Sequence, residues 1–169
     1  MKSPLLLASL LLAPCLLAQD PLAVYRDVEW EIYRDEANGF TMRYPYSWSF
    51  APGRTGVYAY GTFHLPSLNI EVRPREAESD LAASTRKVAL ARYGPPMIAS
   101  ERGFELSGMP AYEVVVDWAA STGEGVPLVS RVVSVFRGDK WFAVVATDGK
   151  AIGGFDKTLA TALYSLILE

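Results

Sequence analysis

Few residues in this chain have both the type and the spacing to do chemistry. His64 is its only histidine. A Ser-His-Asp unit needs that base beside a serine, with a carboxylate to orient it. No Gly-x-Ser-x-Gly elbow is present, so His64 reads as a surface or cross-strand histidine. Ser84-x-x-Lys87 has the spacing of penicillin-recognising enzymes, and residues three apart share a helix face. The companion Ser-Asp-Asn and Lys-Thr-Gly motifs are missing, which leaves an exposed helix face. Glu76, Glu78 and Asp80 cluster at spacing two. Carboxylates suit a hard cation, but without an Asp-x-Asp-x-Asp loop they read as a solvated loop and helix start. Gly149-Lys150 lacks the upstream glycine of a phosphate loop. Gly153-Gly154 offers free amides to an anion, yet a glycine pair opens a helix equally well. Arg137-Gly138-Asp139 is the adhesion tripeptide, placed where a hairpin turn demands Gly and Asp by backbone geometry alone. No catalytic residue, metal ligand set or cofactor is expected.

Recognition has better material. Tyr58, Tyr60 and His64 fall on one side of a strand predicted over Val57 to His64. Aromatic rings with polar tips suit binding surfaces. These three are the candidate binding residues. The alternative is that the rings lie under a helix with their hydroxyls reaching its edge.

The rest of the chain must position that strand. With 169 residues and half of them hydrophobic, there is enough for one domain with a core, and global disorder is excluded. A formal net charge of -3 gives no basic excess for phosphates, so nucleic acid is not an expected partner. Lys2, the apolar run Leu5 to Leu12 and the close at Leu16-Leu17-Ala18 form a secretory signal peptide, residues 1–18. Cleavage after Ala18 leaves a chain with no cysteine, hence no disulfide, although exported to the periplasm or beyond. Contact with membrane is expected only if the signal is uncleaved or Cys15 is lipidated, and Pro14 makes a poor lipoprotein cleavage point.

Residues 19–169 read as a single domain. Val28, Trp30 and Ile32 share the apolar parity of a first strand, and Asn38-Gly39 turns it into Phe40 to Tyr44. Ala51-Pro52-Gly53 reads as a turn. Leu68 to Val72 is a strand closed by Pro74. Ser79 caps a helix running to about Arg92, with Leu81, Thr85, Val88 and Ala89 in its buried stripe. Tyr112, Val114, Val116 and Trp118 alternate with Glu113 and Asp117. Leu128 to Phe136 and Lys140 to Thr147 form a hairpin that is apolar at both parities, so both of its faces must be covered. A last helix extends from Gly153-Gly154 to Leu168. The class is α+β: an antiparallel sheet of about six to eight strands sandwiched by helices.

Phe40-x-Met42-x-Tyr44-Pro45-x-x-Trp48 resembles the opening signature of PsbP-like proteins. That fold also includes a nuclear-import factor that binds the Ran GTPase and periplasmic proteins of the DcrB type. Gly108-x-Pro110-Ala111-Tyr112, a long strand, a strand pair and a closing helix near Ser165-Leu166 follow in the same order. The resemblance implies an α/β/α sandwich and a non-catalytic binding or assembly factor with a protein partner in the cell envelope. Two other readings stay open: a small extracytoplasmic enzyme with a carboxylate- or serine-based pocket, and a structural envelope protein.

Overall fold

The computed structural model describes residues 28–61, 64–75, 80–91, 96–118, 127–149 and 157–169. The signal segment with Cys15, the pair Glu76 and Glu78, the connection Ser121 to Gly125 and the pair Gly153-Gly154 lie outside the described residues.

The hairpin that is apolar on both sides sits at the centre. Strands β8 (Leu128–Arg137) and β9 (Lys140–Gly149) pair from Leu128↔Gly149 to Arg137↔Lys140. Gly138, at φ 57°, adopts the left-handed conformation that their two-residue turn requires. Around them runs a seven-stranded antiparallel sheet in the order β3-β4-β5-β9-β8-β7-β6. Its other strands are β3 (Ser49–Gly53), β4 (Gly56–Tyr60), β5 (Ser67–Pro74), β6 (Pro96–Leu106) and β7 (Met109–Trp118). A smaller sheet, β1-β2-β10, is built from Trp30–Asp35, Phe40–Pro45 and Ile167–Leu168.

Both faces of the large sheet are covered. On one, Val114, Val132, Ala143 and Val145 meet Val88 and Ala89 of helix α1 (Leu81–Leu90). On the other, Ile70, Val133, Phe142 and Val144 meet Leu159 and Leu163 of helix α2 (Lys157–Tyr164), with Phe40 and Met42 of β2. The second layer is therefore a helix and a small sheet side by side. Phe40, Phe142, Leu159 and Leu163 are wholly buried, each stabilising the native state by about 2–3 kcal/mol of apolar burial. Among the described residues no helix is long and apolar enough to cross a membrane.

Several expectations need correction. In β1 Trp30 packs on the core, but beyond it the inward residues are Tyr33 and Asp35, while Ile32 is 65% exposed. Tyr33 packs on Phe40 and Phe50, and Asp35 accepts hydrogen bonds from the Asn38 amide and side chain. Packing of a large ring and closure of the turn outweigh the apolar parity. Ala51-Pro52-Gly53 belongs to β3, an outermost strand where proline costs no internal ladder bond. The cap of α1 is Asp80, which accepts from the amides of Ala82 and Ala83, and the helix ends at Leu90. Ser84 is buried and donates to the Asp80 carbonyl, so Ser84-x-x-Lys87 is no exposed face. Helix α2 stops at Tyr164, and Ile167–Leu168 leaves it to pair with Thr41 and Phe40 of β2.

At the far edge β6 runs for eleven residues with a bulge between Ile98 and Ser100. Glu101, Arg102 and Glu105 stud that edge.

Candidate functional site

Strand β4 carries Tyr58 opposite Asn69 of β5, which stands opposite Val145 of β9. Tyr60, Ser67 and Thr147 form the next row. Val145 belongs to the core beneath α1, so both tyrosines project from the α1 face of the sheet. Helix α1 packs over β7 and β8. Three strand spacings, roughly 14 Å, separate β4 from β8. The tyrosines thus stand beside the helix, half-buried, with no described element laid over them.

His64 reaches the same place by another route. Strand β4 ends at Tyr60, not at His64. The Gly61 amide donates to the Pro66 carbonyl at 2.9 Å and closes the loop. His64 sits within it at φ 63°, a left-handed conformation that histidine visits more readily than most residues. Its ring lies 4.4 Å from Tyr60 and 6.5 Å from Tyr58, at interplanar angles of 29° and 13°. Tyr58 and Tyr60 are 4.9 Å apart at 29°. The structure thus brings all three candidate residues together as near-parallel rings, two from a strand and one from a loop. Among the described residues neither tyrosine hydroxyl is hydrogen-bonded.

The floor beside the rings is polar. Asn69 donates to Glu71, whose carboxylate also takes the Arg73 guanidinium, and Arg73 lies 5.6 Å from the Trp141 ring centre. Gly56 brings β4 against β5 so closely that a Cβ there would lie 1.9 Å from the Ile70 carbonyl oxygen.

Glu113, which alternates with the apolar residues of its strand, is 2% exposed. It stands between β7 and α2. Its Oε2 accepts from Arg102 at 2.6 Å, and its Oε1 accepts from Tyr164 and, at 3.5 Å, from Arg131. Arg102 and Arg131 also donate to the Tyr164 hydroxyl. Burial, then the bond to Glu113, pushes the Tyr164 phenol up. With its oxygens engaged by three donors, this carboxylate ties α2 to the sheet. Its partners come from three other elements, β6, β8 and α2, so no local spacing announces it.

On the α1 side the exposed pair Arg86 and Glu101 is joined by the Tyr112 hydroxyl. Arg86 and Tyr112 together hold the Glu101 carboxyl below its ordinary value. Among the described residues no group of three or more His, Cys, Asp or Glu is placed to hold a metal ion. Asp80 of the acidic cluster is spent on capping α1.

No family model and no curated protein matches the sequence. Solved structures do. Cyanobacterial PsbP (CyanoP) from Synechocystis sp. PCC 6803 superposes with a TM-score of 0.62 at 12% identity, over 85% of this chain and 94% of that one. The fold is PsbP-like. The Ran-binding protein Mog1p of Saccharomyces cerevisiae gives 0.60 at 9% identity, over 84% of this chain and 96% of its own. A protein from Bacteroides thetaiotaomicron gives 0.59 at 16%; the match spans 82% of this chain and 48% of that one. Identities this low speak to the PsbP-like fold alone.

Proposed function

We propose that this chain is an exported, non-catalytic binding or assembly module that engages a protein partner through Tyr58, Tyr60 and His64. The observation that carries the reading is the cluster of near-parallel, half-buried rings beside α1, with two hydroxyls that have no hydrogen-bond partner among the described residues. Rings already held by their neighbours lose little side-chain freedom on binding, and tyrosine supplies apolar area and a hydrogen bond together. Support also comes from a fold neighbour, since Mog1p is a Ran-binding protein.

A photo-crosslinking phenylalanine analogue at position 60, in cells making the protein, tests this. One defined adduct is expected there, lost on Tyr58→Ala and absent when the analogue replaces exposed Tyr46. No adduct at position 60, or the same adduct at 46, would overturn the reading. Catalytic turnover by the purified protein, abolished by one substitution at the buried Glu113 carboxylate, would replace it with the enzyme reading.

Export rests on the charge at Lys2, the apolar run to Leu12 and Ala18. The mass of the protein from an envelope fraction is expected to place its first residue at Gln19. A chain retaining Met1, or lipid on Cys15, would mean anchorage in the membrane.

A further inference from the structure

A second surface lies on the outer layer, away from the tyrosine cluster. In the small sheet, Ile32 faces Arg43 across β1 and β2, and Ile167 faces Thr41 across β2 and β10. These positions point away from the core. Ile32 is 65% and Ile167 54% exposed, so two of the molecule's largest exposed aliphatic side chains flank one arginine. Beside them lies a shallow, open groove of about 750 Å³ between β2 and α2. Arg43 and Lys157 line it, with Ala160, Tyr164 and Ile167 between them and no carboxylate in the lining. Neither cation has an acidic partner among the described residues. Arg34, nearby on β1, pairs among the described residues with the exposed Glu169, at 3.5 Å. A chain with a net charge of -3 therefore places two cations that have no acidic partner among the described residues around an apolar floor.

The spacing narrows the occupant. The Arg43 amide donates to the Ser165 hydroxyl at 2.8 Å, which fixes Arg43 at the C-terminal end of α2. Lys157 begins that helix, eight residues earlier, or about 12 Å along the axis. In an extended peptide, side chains four residues apart point the same way and stand about 13 Å apart, with one side chain midway on the same face. The Ser165 hydroxyl already occupies the backbone of β2 at Arg43, so an added β-strand would gain little there. Side chains, not a ladder, would do the reading.

We propose that this groove binds an extended acidic segment of a partner protein, with carboxylates at positions i and i+4 on Arg43 and Lys157 and an aliphatic residue at i+2 on the floor. The apolar floor between two separated cations favours a peptide with spaced carboxylates over an anionic lipid surface. The inference does not depend on the tyrosine cluster.

The test is fluorescence anisotropy with a labelled Glu-Ser-Leu-Ser-Glu peptide and the chain from Gln19 onward. Binding at millimolar peptide or below is expected. The double variant R43E/K157E should weaken it by about tenfold or more, and raised salt should weaken it too. Both side chains are exposed, so the fold should survive; R43Q/K157Q, checked by circular dichroism, gives a milder second variant. Equal binding of Gln-Ser-Leu-Ser-Gln, or of the respaced Glu-Glu-Ser-Leu-Ser, would overturn the proposal. So would undiminished binding by R43E/K157E, or no binding at all. Binding to phosphatidylglycerol vesicles alone, lost in R43E/K157E, would also overturn it and assign the face to a lipid surface.

Discussion

The buried Glu113 carboxylate is the residue on which most is staked locally. Removing it in Glu113→Ala leaves Arg102, Arg131 and Tyr164 without their shared acceptor, and the expected loss of stability is about 3–5 kcal/mol. Tyr164→Phe keeps the ion pairs and should cost only about 1–2 kcal/mol. Urea midpoints of both variants check the ranking; equal losses would mean that the carboxylate acts through Tyr164 alone. Tyr44 gives a pH signature. Its hydrogen bond to Glu31 is the main cause that pushes the phenol up to about 12, against an ordinary 10.0. A raised native value means that the neutral phenol's contribution is complete below pH 10 and fades between about 10 and 12. An alkaline titration followed residue by residue should therefore show Tyr44 ionising late, and Glu31→Gln should bring it earlier. Glu101 behaves in the opposite sense. Its lowered native value makes its pairing with Arg86 a contribution present at neutral pH and lost in acid. At this scale the sequence was legible where parity met a single wall and misleading where it met two. Phe40 and Met42 are buried as their alternation predicts. The alternation of β7 left open what covers the Glu113 side, and α2 covers it. Ile32 looked buried because nothing in the chain announces that Tyr33 will pack against Phe50.

Among the elements, β4 sets the position of the tyrosine pair, and Gly56 sets the position of β4. At φ 148° and with a Cβ landing 1.9 Å from the Ile70 carbonyl, Gly56→Ala must push β4 off β5. A cost of about 3 kcal/mol is expected, with the Tyr58 and Tyr60 ring resonances shifting more than those of Tyr112. If the stability loss comes without those shifts, β4 tolerates the displacement and the platform is held by the His64 loop instead. The central hairpin was fully legible, because two apolar parities and Arg137-Gly138-Asp139 leave one arrangement. The strand β3 was not, since Pro52 and Gly53 suit a turn as well as an edge. His64 was read as a continuation of β4 and arrives from a loop instead. The three rings converge because loop closure from Gly61 to Pro66 supplies what strand parity was thought to supply. The end of α2 was misread because Leu166, Ile167 and Leu168 suit a helix and a strand alike; pairing with β2 decides it.

For the molecule as a whole, the two cores share one sheet, so neither layer can melt while the other persists. Trp30 and Trp48 pack against the α2-side core, whereas Trp118 and Trp141 belong to the α1-side core. Tryptophan fluorescence and far-ultraviolet circular dichroism should then trace superimposable urea transitions. Phe142→Ala should shift both together by about 3–5 kcal/mol, and separated curves would show that the layers unfold independently. The layered architecture and its two-sided cover were read from the sequence. The small sheet sharing a layer with α2 was not, because it pairs two stretches from opposite ends of the chain, Phe40–Pro45 and Ile167–Leu168. The bulged, charge-studded outermost strand has a consequence for crowding. An eleven-residue ribbon with one free margin is the natural template for copies to zip into fibrils, and the kink at Ala99 together with Glu101, Arg102 and Glu105 spoils the match between neighbours. Deleting Ala99 would straighten that margin, and concentrated solutions of the shortened chain should then bind thioflavin where the parent chain stays clear.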